Sequence, residues 1–140
     1  MFLLDTNVIS ELRRPEKANR HVVEWANTVP AASFFLSAIS ILEIEIGTLQ
    51  LARKDPARGA LLRTWIDEQI LPFFEGRILP VDTDVAQRCA RLHIPDPRPE
   101  RDALIAATAM VHSLTVVTRN SADFEVTGVA LLNPWIQPAS

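Results

Sequence analysis

The sequence predicts an α/β fold, a three-layer α/β/α sandwich around a mostly parallel central sheet. Short apolar runs without polar alternation recur along the chain, as strands buried on both faces require. Segments with helical apolar spacing separate them, and that alternation belongs to parallel sheets. Acidic residues stand where these runs end or the helices begin, at the edge where such folds hold ligands.

Phe2–Leu4 is the first strand, and Asp5, Thr6 and Asn7 are all residue types that cap a helix start. Val8, Ile9 and Leu12 give a brief helix that Pro15 stops, and a second helix covers Asn19 to Asn27. Ser33–Ser37 is the next strand, followed by a largely buried helix from Ala38 to about Ala52. After Lys54-Asp55-Pro56 another helix runs to about Phe74, with Leu61, Leu62, Trp65, Ile66, Ile70 and Phe73 forming a broad apolar stripe. Arg77–Val81 is a short strand, and Asp82-Thr83-Asp84 leads into a helix through Cys89 and Leu92. The prolines from Ile94 to Pro99 predict a stiff, extended loop. A helix from about Glu100 to His112, a strand at Leu114–Thr118, a loop at Arg119–Thr127 and a strand at Val129–Leu132 complete the order.

The 140 residues suit one domain, spanning 1–140, without repeats or linkers. A formal charge of −3 argues against a domain built to coat nucleic acid. It leaves room for a nuclease, whose acidic site a bound cation would offset. Cys89 is the only cysteine, so no intrachain disulfide is expected. Met1 leads directly into Phe2-Leu3-Leu4-Asp5 without a basic leader, and no apolar stretch is long enough for a membrane span. A cytoplasmic protein is expected.

Four carboxylates carry the chemistry: Asp5, Glu43, Asp102 and Asp123. Gathered at one sheet edge, they raise one another's pKa unless a cation joins them. Mg²⁺ is the simplest oxygen-seeking ion for that role. Each also has a plainer reading. Asp5 taken alone is a helix cap. Ser40-Ile41-Leu42-Glu43 spells a capping box, yet an acid in so apolar a segment needs a partner. Glu45 lies on nearly the opposite helix face and is read as solvated or paired, while Gly47 marks a face of close approach. Asp102 complements a helix dipole, but Ala106, Ala107 and Ala109 beside it imply tight packing that would fix it at the sheet edge. Asp123 lies in a polar loop anchored by Phe124, where Thr118 and Asn120 are placed to orient a water or a phosphate.

The other ionisable groups point less clearly. His21, His93 and His112 lack metal-ligand spacing, Cys89 reads as core, and there is no glycine-rich phosphate loop. Arg13, Arg14, Lys17 and Arg20 form a loose basic cluster, as do Arg98 and Arg101. Each is a solvated face by default and a phosphate contact by opportunity.

Asp5-Thr6-Asn7, Glu43-Ile44-Glu45-Ile46-Gly47, Asp102-Ala103-Leu104-Ile105-Ala106-Ala107, and Thr118-Arg119-Asn120 with Asp123-Phe124 resemble, in order, the signature of PIN-domain ribonucleases. Among these the chain is most similar to VapC toxins of bacterial toxin–antitoxin pairs, including their FitB-like branch. The resemblance spans essentially the whole length. It implies that Asp5, Glu43 and Asp102 bind metal, with Asp123 as a fourth, more variable acid. Thr6, Asn7, Thr118 and Asn120 carry over as supporting polar residues. It further implies Mg²⁺ or Mn²⁺, RNA as substrate, products with a 5′ phosphate and a 3′ hydroxyl, and a homodimer or larger toxin–antitoxin assembly. A cognate antitoxin would occupy the active-site groove, and DNA would be met only through that antitoxin. Ser113 departs from the family, whose members commonly carry glycine there.

Rival chemistries fit less well. A phosphatase using an aspartyl nucleophile wants an acid where Asn7 stands, and a receiver-like domain wants an acidic pair where Asp5 stands alone. A non-catalytic module that sequesters a partner is the remaining alternative. The stripe Trp65, Ile66, Ile70 and Phe73 exceeds one core face, so part of it is expected against another chain.

Overall fold

The computed structural model describes residues 1–136; the last four residues of the expected 1–140 domain lie outside the described residues. Five parallel strands lie in the order β3-β2-β1-β4-β5: β1 (Phe2–Leu4), β2 (Phe34–Ser37), β3 (Ile78–Leu79), β4 (Thr115–Val117) and β5 (Leu131–Leu132). The sheet is thus wholly parallel. Chain order reverses between β1 and β4, where Leu4 pairs with Val117. That crevice is where doubly wound sheets bind ligands.

Strand alternation divides the core. Leu4, Phe34, Leu36 and Val117 face one layer, formed by α1 (Thr6–Leu12), α2 (Arg20–Asn27), α3 (Ala38–Lys54) and α4 (Pro56–Trp65). Leu3 and Val116 face the other, where α7 (Glu100–Val111) and α8 (Ser121–Glu125) supply Ile105, Ala106, Ala109 and Phe124. Ala103 and Ala107 on the remaining side of α7 pack with Val85 and Cys89 of α6 (Thr83–Leu92). The alanines let α7 approach both neighbours, and Ala103, Ala106, Ala107 and Ala109 are fully buried. Among the described residues no helix is long and apolar enough to cross a membrane.

Several local expectations change in three dimensions. The long helix after Pro56 does not stay α-helical. It passes through a π-helical turn at Ile66–Ile70, closed by Leu71 N–H donating to Ile66 O, before α5 (Leu71–Phe73). Pro72 explains the change, since its ring would meet the carbonyl four residues back in an α-helix. The apolar stripe is largely satisfied within the chain: Trp65, Ile66 and Ile70 join the core, while Phe73 remains 44% exposed. The segment after Ile94 bends rather than running extended, with a cis Ile94–Pro95 peptide.

Gly47 has nothing within 4 Å of where a Cβ would stand, so it marks no close approach. Gly59 does: a Cβ there would lie 2.5 Å from both Cα and Cβ of Ala52, and this contact lets α4 pack against α3. Ser113 ends α7 at φ 56°, with Leu114 N–H reaching Ala109 O at 2.8 Å. A left-handed residue closing a helix in this way favours glycine, so a serine at this position carries backbone strain.

Candidate active site

The carboxyl edge gathers its side chains from both directions of the sheet. Asp5 leaves β1 and caps α1, and its backbone N–H still pairs with Val117 O at 2.9 Å. That bond carries the β1–β4 ladder one residue further and sets the Asp5 carboxylate over the crevice. Thr118 follows β4 directly, so its hydroxyl emerges beside Asp5. Helix α3 begins at the end of β2, which carries Glu43 toward the same edge. Helix α7 places Asp102 in its first turn, and α8 does the same for Asp123.

Asp5 is only 7% exposed, and hydrogen bonds hold both its oxygens. Oδ1 accepts from Thr6 N–H at 2.8 Å, while Oδ2 accepts from the Thr118 hydroxyl at 2.8 Å and from Asn7 Nδ2 at 3.3 Å. The Thr118 oxygen in turn accepts from Asn7 Nδ2 at 3.3 Å and Asn120 N–H at 3.0 Å. Asn7 completes the frame by accepting Arg119 N–H at 3.3 Å. Thr6 reaches beyond it, since its hydroxyl donates to Glu43 Oε1 at 2.8 Å. One threonine therefore ties two of the acids together, across 37 residues of sequence.

The capping box read at Ser40 does not form. Helix α3 starts earlier, where the Ser37 oxygen accepts Ile39 N–H, and Glu43 is left free to turn to Thr6. The Ser40 hydroxyl is buried with no partner among the described residues. Glu45 leaves the site altogether. Arg63 of α4 grips it with both terminal nitrogens, at 2.6 and 2.8 Å, and holds its carboxyl below the usual range.

Burial raises the pKa of Asp5 above its ordinary value despite the opposing bonds from Thr118 and Thr6, with Glu43 and Asp123 adding repulsion. Burial also raises Asp102, followed by the fields of Asp5, Asp123 and Glu43. The four acids thus feel one another although they come from four separate elements. No donor among the described residues bonds the carboxylates of Asp102 or Asp123. Asp123 and Asn120 are exposed, and Asn120 contributes only backbone contacts.

Among the described residues no three His, Cys, Asp or Glu side chains cluster tightly enough to cage an ion alone. This donor set suits Mg²⁺, which keeps several waters and takes only one or two carboxylates directly. The all-oxygen chemistry and the raised Asp5 and Asp102 carboxyls fit the same ion.

Arg101, grouped only loosely with Arg98 by sequence, turns out to belong to the site. Its Nη1 lies 3.9 Å from Glu43 Oε2, whereas the backbone N–H of Arg98 donates to His93 Nδ1 and its Nε is buried with no partner among the described residues. No periodicity links positions 43 and 101, so only the packing of α3 and α7 brings them together.

The PIN domain family model matches residues 2–129 of this chain. The chain is 40% identical to the protein named Toxin FitB of Neisseria gonorrhoeae, over 96% of this chain and 99% of that protein. It is 35% identical to the protein named VapC ribonuclease Y4jK of Sinorhizobium fredii, over 99% of this chain and 100% of that protein. Among solved structures, the crystal structure of FitAcB from Neisseria gonorrhoeae superposes with a TM-score of 0.87 at 40% identity, covering 96% of this chain and 99% of that chain.

Proposed function

This chain belongs to the PIN-domain family, and from that premise we propose that it is a metal-dependent endoribonuclease. It acts in the cytoplasm as the toxin of a toxin–antitoxin pair, and a cognate antitoxin holds it in check. The observation that carries this reading is the pairing of Asp5 with Thr118 across the β1–β4 crevice, with Thr6 coupling Asp5 to Glu43. Such a frame holds negative charge in a buried place, which is costly without a cationic ligand. The similarity to a named toxin and to a named ribonuclease supports the biological half.

Asp5, Asp102 and Glu43 would hold Mg²⁺ or Mn²⁺, which supplies an acidified water and offsets the charge of the phosphodiester. The chain's own residues do the positioning. Thr118, Asn7 and Thr6 N–H fix the Asp5 carboxylate, so its orientation needs no rearrangement when substrate arrives. The Thr6 hydroxyl fixes one oxygen of Glu43 and leaves Oε2 toward Arg101. Arg101 is a cation beside Glu43, suited to a phosphate that must enter an acidic cleft. Attack of water at phosphorus breaks the bond to the 3′ oxygen, leaving a 5′ phosphate and a 3′ hydroxyl.

The test is RNA cleavage by purified protein with Mg²⁺ or with EDTA, beside Asp5→Asn. Asparagine caps a helix as well as aspartate does, so the fold should survive the change. Loss of activity by at least roughly a hundredfold is expected, the scale of losing one preorganised electrostatic group. Equal growth arrest by wild type and Asp5→Asn, with no RNA cut, would replace this reading with a non-catalytic binding module.

A further inference from the structure

The cation pattern around α1 changes between sequence and structure. Arg20 leaves the basic cluster by pairing with Glu24 at 2.8 Å. Arg58, from the start of α4, takes its place. Arg13, Arg14 and Arg58 line one concavity of about 200 Å³ together with Leu51, Leu61 and Leu62. None of the three guanidinium groups has an acidic partner within 4 Å among the described residues. Arg13 is steadied instead by the Trp65 ring, 6.0 Å from its guanidinium carbon. On a chain of net charge −3, three uncompensated arginines in one hollow are a local feature rather than a reflection of bulk charge.

Their distance from the acids is set by a single helix. Asp5 caps the start of α1 and Arg13 caps its end. With seven residues between them, the two caps stand about 12 Å apart along the axis at 1.5 Å per residue. An anionic polymer lying along α1 would therefore meet the arginines a few nucleotides from the scissile bond. Arginine suits this task because its planar fork matches phosphate oxygens two at a time. An acidic cleft repels its own polyanionic substrate, and a flanking cationic hollow offsets that repulsion during approach.

We propose that the Arg13–Arg14–Arg58 hollow is a phosphate-backbone subsite that grips single-stranded RNA beside the cleavage site. The proposal rests on the ribonuclease reading above, and its test separates the two. Binding of a fluorescein-labelled single-stranded RNA of mixed sequence is measured by anisotropy in an Asp5→Asn background, where no cleavage is needed. Adding R14A and R58A should weaken binding roughly tenfold and flatten the plot of log affinity against log salt. Two lost contacts at about 0.7 each change that slope by roughly 1.4. R14K with R58K should stay near the parent, which separates lost charge from a disturbed fold. With Asp5 restored, R14A and R58A should raise KM for RNA and leave kcat unchanged. Unaltered affinity and salt slope would overturn the subsite. So would unaltered RNA binding with weakened antitoxin binding, which would assign the hollow to the protein partner. Failure of the wild type to cut any RNA would sink the ribonuclease reading, while the anisotropy result would still decide the subsite.

Discussion

Glu43 and Glu45 stand two residues apart on α3 and meet opposite surroundings. Glu45 faces α4, where Arg63 closes on both its oxygens and also holds Asp67 at 2.9 Å. Glu43 faces the crevice, where Thr6 gives it one neutral hydrogen bond and Arg101 stands off at 3.9 Å. At the α3–α4 contact Glu45 and Asp67 share Arg63, and the result is a brace. At the carboxyl edge Asp5, Glu43, Asp102 and Asp123 are drawn together with a single arginine within 4 Å of them among the described residues. Charge left uncompensated within a well-ordered frame is what sets the carboxyl edge apart from the brace, and on the proposed reading a cation would complete it.

Thr118→Val should break that frame most sharply. Valine keeps the volume but removes the hydroxyl that links Asp5, Asn7 and Asn120. Ribonuclease activity should fall roughly 10–100-fold, as when groups that orient metal ligands are lost. Restoration of most activity by Thr118→Ser would sharpen the assignment.

Glu43→Gln and Glu45→Gln compare the two regions directly. The first should lower activity at least about tenfold and leave the urea midpoint near that of wild type. The second should lower the midpoint and leave activity alone. An activity loss confined to Glu45→Gln would reverse the roles of the two glutamates.

The packing around the brace can be tested at its glycines. Gly59→Ala forces a methyl against Ala52 and should cost about 1–3 kcal/mol, as overpacked contacts do. Gly47→Ala meets open space within α3 and should stabilise by about 0.5–1 kcal/mol, the helix preference of alanine over glycine. Urea denaturation of both variants checks the pair.

The gentlest comparison is pH, where the two regions act with opposite signs. Burial holds the Asp5 and Asp102 carboxyls above the ordinary aspartate value of 3.8. The folded chain therefore keeps protons that the unfolded chain has released. In EDTA, the contribution of this pair to stability should fall as pH rises from that ordinary value through the raised ones. Arg63 holds Glu45 below its ordinary value of 4.5. Its contribution is present above that value and is lost as pH falls through the lowered one. Urea midpoints against pH should lose part of the first slope in Asp102→Asn, with Asp5 keeping the rest, and the second in Glu45→Gln.

Much of the scaffold is legible in one dimension. The strand at Phe2–Leu4 is recognisable because both of its faces are apolar, and the helix after it because Asp5 is a cap. The tight packing of α7 is visible in its alanines, and the burial of Phe124 and Cys89 in their apolar settings. The capping box and the role of Gly47 went wrong because each rested on a local pattern, whereas Glu43 bonds Thr6 from the first helix and the close approach falls at Gly59 against Ala52. The break in the helix before Phe74 is different, since its cause, Pro72, was present in the local sequence.

By itself, then, the order of residues determined the alternation of strands and helices and the spots where acids meet their ends. Those are consequences of side-chain period and capping, which act over a few residues. Only the tertiary structure decided the strand order, the reversal between β1 and β4, and which acids go uncompensated. Those outcomes depend on contacts between residues far apart in sequence, such as Thr118 with Asp5, separated by 113 positions. Electrostatic partnership follows distance in space, and no local period encodes it.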